Sequence, residues 1–257
     1  MPSTRLADLP TTAPKKADKE QIKEEMESIL KDLDELQNLL YAEHRHSLLV
    51  VLQGMDASGK DGVIRDVFGT MNPMGVTVQP FKAPTAQEAD HDFLWRIHQH
   101  APGKGMIQVF NRSHYEDVLV QRVHKWVDEE VIRKRFAAIN DFEKLLRDHN
   151  STHILKFYLH VSPEAQMARL DERTQDPRKM WKYNEKDFAE AKLFKKYQKA
   201  YEDVFRECNK IPWYIVPADH NWYKEYFIAK TVRDTLKALK MKFPKLPKNK
   251  NNQDVKP

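Results

Sequence analysis

Strand and helix signals alternate along almost the whole 257-residue chain, which predicts an α/β protein with a parallel sheet covered on both faces by helices. Three observations carry that reading. Five short apolar runs are each followed by a helical pattern. The first run, Leu48 to Leu52, breaks into a glycine-punctuated loop. The third runs directly into polar residues, at the strand end where open α/β sheets bind ligands.

Taken in order, residues 1 to 17 hold three prolines with several threonines and lysines, show no periodicity, and are expected to form a disordered arm. Residues 18 to 241 read as a single domain. From Lys19 to about Glu43, Ile22, Met26, Ile29, Leu33, Leu36 and Leu40 recur at alternating spacings of four and three, one stripe of a helix. Such a stripe packs against its own domain or against a second subunit. The uninterrupted run Leu48 to Leu52 suits a strand buried on both faces, and Val63, Ile64, Val67 and Phe68 continue as a helix. A turn at Asn72-Pro73-Met74-Gly75 leads to a second strand at Val76, Val78 and Phe81. The Thr85-x-x-Glu88 pattern of a capping box then opens a helix running through Phe93, Leu94, Trp95 and Ile97. Met106 to Phe110 is the third strand, followed by helices over roughly His114 to Val123 and Asp128 to Arg147. A fourth strand, Ile154 to Val161, ends at Ser162-Pro163-Glu164, an N-cap with proline at the first helical position. A basic segment, a long helix from about Glu185 to Glu207, a strand at Trp213 to Val216 and a helix from about Trp222 to Leu239 complete the domain. The Lys-, Pro- and Asn-rich stretch 242 to 257 is expected to be a disordered basic tail.

The balance of 43 Lys and Arg against 38 Asp and Glu gives a net charge of +5 and a mild attraction for polyanions. That alone does not separate nucleic acid from phosphate metabolites. The single cysteine, Cys208, excludes an intrachain disulfide framework, and no apolar run has the length or position of a signal peptide or membrane span. The expectation from these features is a cytoplasmic protein that does not associate with membranes.

The chemistry starts at the loop. Gly54, Gly59 and Lys60 satisfy G-x-x-x-x-G-K, in which loop amides, the Ser58 segment and a following helix N-terminus converge on phosphate oxygens while the lysine adds a point charge. Position 61, usually a Mg²⁺-holding hydroxyl, is Asp61, and Asp56 adds a hard oxygen ligand inside the loop. Asn111, a weaker and neutral metal ligand, stands where such proteins usually carry an acid, so Asp61 and Glu116 are candidates to supply the missing metal-binding charge. Either also reads as a first-turn helix acid. Arg112, directly after a buried strand, could bridge donor and acceptor phosphates. Arg169 and Arg173 share a helix face and, with Arg178 and Lys182, compose a lid over about residues 169 to 186 suited to a polyanion. The bland reading of that segment is a solvated basic face. Asp92, Trp95 and Arg96 could line an acceptor-nucleotide pocket by stacking and charge, and Trp95 reads equally well as a core residue.

Together, Gly54 to Gly62, Asp92-Phe-Leu-Trp-Arg96, Phe110-Asn-Arg-Ser-His-Tyr-Glu-Asp117, Trp181-Lys182 and Pro212-Trp213 resemble the polyphosphate kinase 2 family, with the string from Asn111 to Glu116 similar to its class III. The resemblance covers about residues 25 to 240. It implies a three-layer P-loop kinase sandwich with a central five-stranded parallel sheet, a helical lid and an extra N-terminal helix. It also implies transfer of phosphoryl groups between inorganic polyphosphate and nucleoside mono- and diphosphates, reversibly, with Mg²⁺ or alternatively Mn²⁺. The resemblance makes Asp56, Lys60 and Arg112 the catalytic core, gives Glu116 a part in accepting monophosphates, adds Arg122 to the nucleotide-binding set, and points to a homodimer or tetramer. Phe194, where the family pattern has Trp, and Asn221, where some members have Lys, depart from it. The competing enzymatic reading is an ATP-dependent small-molecule or nucleotide kinase of the same fold. A nucleic-acid-binding protein lacks support, because no recognition helix, zinc spacing or aromatic-basic sheet signature accompanies the basic charge.

Overall fold

The structure, a computed structural model, describes residues 5–245. Asp18 accepts the N–H groups of Glu20 and Gln21 and so caps Lys19–Glu43 (α1), the extra N-terminal helix. Ser47–Gly54 (β1) is buried at all eight positions, as its unbroken apolar run requires. The chain continues through Lys60–Asp66 (α2), Val76–Pro80 (β2), Ala86–Ala89 (α3), Trp95–His98 (α4) and Ile107–Asn111 (β3). Glu116–Val123 (α5), Glu129–Asn150 (α6), Thr152–His160 (β4) and Pro163–Gln175 (α7) follow, then Glu185–Ala191 (α8), Phe194–Glu207 (α9), Trp213–Pro217 (β5) and Asn221–Ala238 (α10).

The five strands form one parallel sheet in the order β2-β3-β1-β4-β5. From β1 in the middle, the chain crosses to β2 at one edge, returns to β3 beside β1, and then passes to the other side for β4 and β5. Helices α1, α2 and α10 pack together over one face, while α5, α6 and α9 cover the other. The stripe of α1 therefore buries Ile29, Leu33 and Leu40 against its own domain. Register aligns Leu52 with Asn111 and Gly54 with Leu159, so the carboxyl ends of the three central strands deliver their loops to one edge. No described helix is long and apolar enough to cross a membrane.

Three expectations are corrected. Residues 5 to 17 are docked rather than disordered: a 3₁₀ turn over Leu6–Asp8 buries Leu6 completely, and Glu202 accepts the Leu6 N–H at 2.8 Å. The Leu6 carbonyl lies 3.1 Å from His160 Nε2, and the Asp219 N–H donates to the Thr11 carbonyl at 2.9 Å. One buried leucine and a few backbone hydrogen bonds hold a segment whose composition looks unstructured. The helix after Thr85 forms with its capping box but splits into α3 and α4, because Asp92 turns back to accept the Leu94 N–H at 2.9 Å. The long helix breaks at Lys192–Leu193 into α8 and α9. The break lets α9 press Phe194, Tyr197, Tyr201 and Phe205 into the core while α8 sits on the lid. At the other end, the Lys242 N–H donates to Glu43 at 3.1 Å; most of the basic tail lies outside the described residues.

Replacing Leu6 with Ala is expected to lower unfolding free energy by about 2–5 kcal/mol, the cost of emptying a fully buried leucine site. Urea denaturation checks it; an unchanged midpoint would mean that the segment contributes nothing to the fold.

Candidate active site

The loop after β1 is shaped from within. Ala57 and Gly59 take left-handed backbone angles (φ 59° and 97°), and the Ser58 N–H donates to the Met55 carbonyl at 3.2 Å. Lys60, the first residue of α2, folds back so that its Nζ donates to the carbonyls of Gly54 at 2.8 Å and Met55 at 3.0 Å. Ser58 Oγ lies 3.4 Å from the same ammonium. Among the described residues Lys60 has no carboxylate within ion-pair distance, and burial, helped by the nearby Arg112 charge, lowers it to about 8. Asp56, Glu116 and Asp61 oppose that shift.

The loop after β3 meets this cradle through Arg112. Its backbone is left-handed (φ 63°), a conformation rare for a residue with a side chain, and its N–H donates to the Leu52 carbonyl at 3.0 Å, stitching it to β1. The guanidinium then donates to Asp56 of the first loop and, at 3.1 Å, to Glu116 in the first turn of α5. Glu116 and Asp56 together hold it firmly charged against the effect of burial. The turn is pegged from below by Tyr115, fully buried, whose hydroxyl donates to Glu143 at 2.6 Å and accepts from Lys156 at 2.9 Å. Lys156 also donates to Glu143 at 2.8 Å and to the Cys208 carbonyl at 2.9 Å, leaving this buried cation fully bonded.

A second pairing spans the mouth of the site. Asn111 donates to Asp61 at 3.0 Å, and Lys182 of the lid donates to its other oxygen at 2.6 Å. Burial opposes ionisation of Asp61, but these two hydrogen bonds hold its carboxyl below the usual range. Around these groups opens a cleft of about 1520 Å³, lined by eleven Lys and Arg and six carboxylates, from Lys19 and the loop 56 to 62 across to Arg173, Arg178, Lys179 and Lys182. A single small ligand occupies a pocket of roughly 300–1,000 Å³. This one has room for more.

The structure sorts the residues expected at the site. Asp56, Ser58, Gly59, Lys60, Asp61, Asn111, Arg112, Arg169, Arg173, Arg178 and Lys182 all line the cleft, and Glu116 joins them through Arg112. Arg169 and Arg173 do not need an anion between them. Arg169 donates to the carbonyls of Ala57 (3.1 Å), Ala218 (2.7 Å) and Asp219 (2.9 Å), clamping the first loop to the turn before α10, with Gln166 adding a bond to the Asp56 carbonyl at 3.1 Å. Arg173 is paired with Asp187 of α8 at 2.6 Å, which pins the lid. Arg178 is exposed and paired with Asp176.

The expected nucleotide set is not assembled. Arg96 is buried, donates to the Lys82 carbonyl at 2.8 Å and lies 3.8 Å from Asp117. Trp95 stacks on His91 at 4.1 Å, and Asp92 caps its own turn. Arg122 is held by Asp203 at 2.6 Å and Glu129 at 2.7 Å, tying α5 to α9 and α6. In this structure each of the four has a partner within the domain. As for metal, Glu116 is engaged by Arg112, and among the described residues no three His, Cys, Asp or Glu side chains form a ready cage. Asp56, also paired with Arg112, and Asp61, paired with Lys182 and Asn111, are hard-oxygen donors that would hold a Mg²⁺ on exchanging those partners, with the rest of its shell left to phosphate oxygens and water.

Sequence reasoning missed Lys224 on α10, whose side chain is completely buried beside Gly59. It also missed Tyr115, Glu143 and Lys156, the pegs beneath Arg112; a lysine in the middle of an apolar strand was the available signal.

A left-handed glycine loop at the carboxyl end of the central strand of a 2-3-1-4-5 parallel sheet, with a lysine folded into it and an arginine facing it, defines a P-loop phosphotransferase scaffold. Comparison with known proteins narrows the class. The chain belongs to the polyphosphate kinase 2 family, whose model matches residues 16–244. It is 49% identical over 214 residues to an AMP/ADP-polyphosphate phosphotransferase of Meiothermus ruber, covering 82% of this chain and 80% of the relative. An ADP-polyphosphate phosphotransferase of Rhodopseudomonas palustris is 40% identical over 240 residues, 88% of this chain and 83% of that one. The crystal structure of polyphosphate kinase 2 from Arthrobacter aurescens TC1 superposes with a TM-score of 0.92 at 39% identity, covering 95% of this chain and 89% of that chain. Family and fold expected from the residues are both borne out.

Two buried ammonium groups near pH 8 at the cradle, Lys60 and Lys224, give a test with an inorganic polyanion. Tripolyphosphate is expected to raise the melting temperature strongly at pH 7 and less at pH 9, because both groups lose their protons in the ligand-free protein as pH passes about 8. Thermal melts at the two pH values check it; an equal rise at both would mean that neither ammonium meets the anion.

Proposed function

We propose that this protein transfers phosphoryl groups between inorganic polyphosphate and nucleoside mono- and diphosphates, raising AMP to ADP and ATP and GMP to GDP and GTP, reversibly and with Mg²⁺ or Mn²⁺. The observation that carries the reading is the Asp56–Arg112–Glu116 linkage set on the edge of a large basic cleft. In the forward direction an oxygen of the nucleotide's terminal phosphate attacks the end phosphorus of the polyphosphate chain. The bridging P–O bond breaks, and the shortened chain leaves with its electron pair.

Such a loose transition state asks for positioning and charge stabilisation more than covalent help. Lys60 and the amides of the Gly54–Gly59 loop receive phosphoryl oxygens. Arg112 neutralises charge between donor and acceptor, and its fixed backbone and two carboxylate partners aim it before the substrates arrive. Glu116, on the far side of Arg112, contributes to the acceptance of monophosphates. Lys182, Lys179 and Arg178 follow the polyphosphate chain along the cleft. A divalent cation held by Asp56 and Asp61 would add charge neutralisation at the bound phosphates. The family resemblance adds assembly into a homodimer or tetramer, and the single cysteine adds a reducing, cytoplasmic setting.

Incubation with Mg²⁺, long-chain polyphosphate and AMP or ADP is expected to give ADP and ATP. Lys60→Ala and Arg112→Ala are each expected to lower kcat by about 10²-fold or more with circular dichroism unchanged. Product analysis by chromatography decides it, and a requirement for ATP as donor with polyphosphate ignored would replace this reading with that of an ATP-dependent kinase.

A further inference from the structure

Lys224 stands out among the cations of the cleft. It lines the cleft, yet its side chain is completely buried, and its Nζ donates to Asn221 Oδ1 at 2.8 Å. Among the described residues the one carboxylate within 4 Å is Glu225, at 3.9 Å, beyond hydrogen-bond reach. This contrasts with Lys156, an equally buried lysine whose ammonium is bonded to a carboxylate, a hydroxyl and a carbonyl. An ammonium has three donors, and burying one without a tight counter-ion is costly. Lys156 meets that demand inside the protein. Lys224 leaves most of it open.

Its position says what could close the gap. The ammonium is packed directly over Gly59, so that a Cβ at that position would collide with it. The left-handed backbone is what calls for glycine at position 59, and the ammonium occupies the space a side chain would take. Lys60, on the next residue, approaches the loop from within through the carbonyls of Gly54 and Met55. Lys224 approaches the same loop from α10, whose first turn has no side-chain cap and whose start, with Asn221, also lines the cleft. Arg169 fixes this wall by joining the carbonyls of Ala57, Ala218 and Asp219.

We infer that Lys224 is a second lysine of the phosphate cradle, donating to a phosphoryl oxygen seated on the Gly59 end of the loop, with Asn221 holding the ammonium in place until phosphate arrives. The assignment rests on the phosphotransferase reading for the identity of the ligand, inorganic polyphosphate or a nucleotide's phosphates, and on the geometry alone for the phosphate chemistry. It also gives Asn221, the position that departs from the family pattern, a task of its own.

The test is binding, which does not require turnover. Dissociation constants for tripolyphosphate and for ADP, measured separately by calorimetry on wild type and on Lys224→Met, distinguish the two phosphate sources. Loss of one charge-assisted hydrogen bond is expected to weaken the ligand that uses Lys224 about tenfold or more, while the ligand-free melting temperature holds or rises. Lys224→Gln, which keeps a donor for Asn221, covers the case in which the methionine disturbs packing, and should show the same loss. Binding of both ligands within twofold of wild type would overturn the assignment. So would weakened binding accompanied by a lowered ligand-free melting temperature in both variants, the signature of a structural lysine. A wild type that binds tripolyphosphate through Lys224 but transfers no phosphoryl group would sink the proposed function and leave this assignment standing.

Discussion

The structure turns on one guanidinium. Arg112 joins the loop after β1, through Asp56, to the first turn of α5, through Glu116, while its own N–H is bonded to Leu52. Without a long basic side chain at this point, the two strand ends that meet here would present their loops independently. The arrangement is fixed from beneath by the Tyr115–Glu143–Lys156 network, which places a fully buried charged pair where an apolar core would otherwise be ordinary. A buried ion pair is weak support for stability in itself. Its value here is positional, since it anchors Tyr115, three residues from Arg112, through its hydroxyl.

Much of this was legible in the chain. The cradle, the strand before it and the helix after it follow from the glycine spacing and the apolar run, and the caps at Thr85 and Ser162 were readable as residue types at helix starts. Arg112 was legible because a polar cluster directly after a buried strand has few other uses. Boundaries failed where tertiary packing overrode local preference. Nothing at Lys192 or Leu193 is a helix breaker, yet α9 must rotate to bury its aromatic face. Leu6 sits in a segment whose composition signals disorder, and only its cavity against Glu202 and His160 shows otherwise.

The site was read less evenly, for a physical reason. Sequence supplies charge, but not the partner that charge will choose. Arg96 and Arg122 have the right chemistry for a nucleotide and are consumed by Asp117, Asp203 and a backbone carbonyl. Arg169 is spent on three carbonyls of the loops it clamps. Lys224 was invisible because its neighbour in space is Gly59, far off in sequence.

The pairing of lid to cradle has a wider consequence. Lys182 rests on Asp61, Arg173 on Asp187 and Arg178 on Asp176, so several of the cleft's cations already hold internal anions. Partly exposed pairs of this kind are individually weak, worth about 1 kcal/mol or less. An isolated phosphate exchanging with one of them gains little over the carboxylate it displaces. A chain of linked phosphates exchanges with several at the entropic cost of a single encounter, and its affinity grows by avidity. If polyphosphate enters the cleft as proposed, the protein's own carboxylates would act as a threshold, favouring ligands that bring several phosphates together.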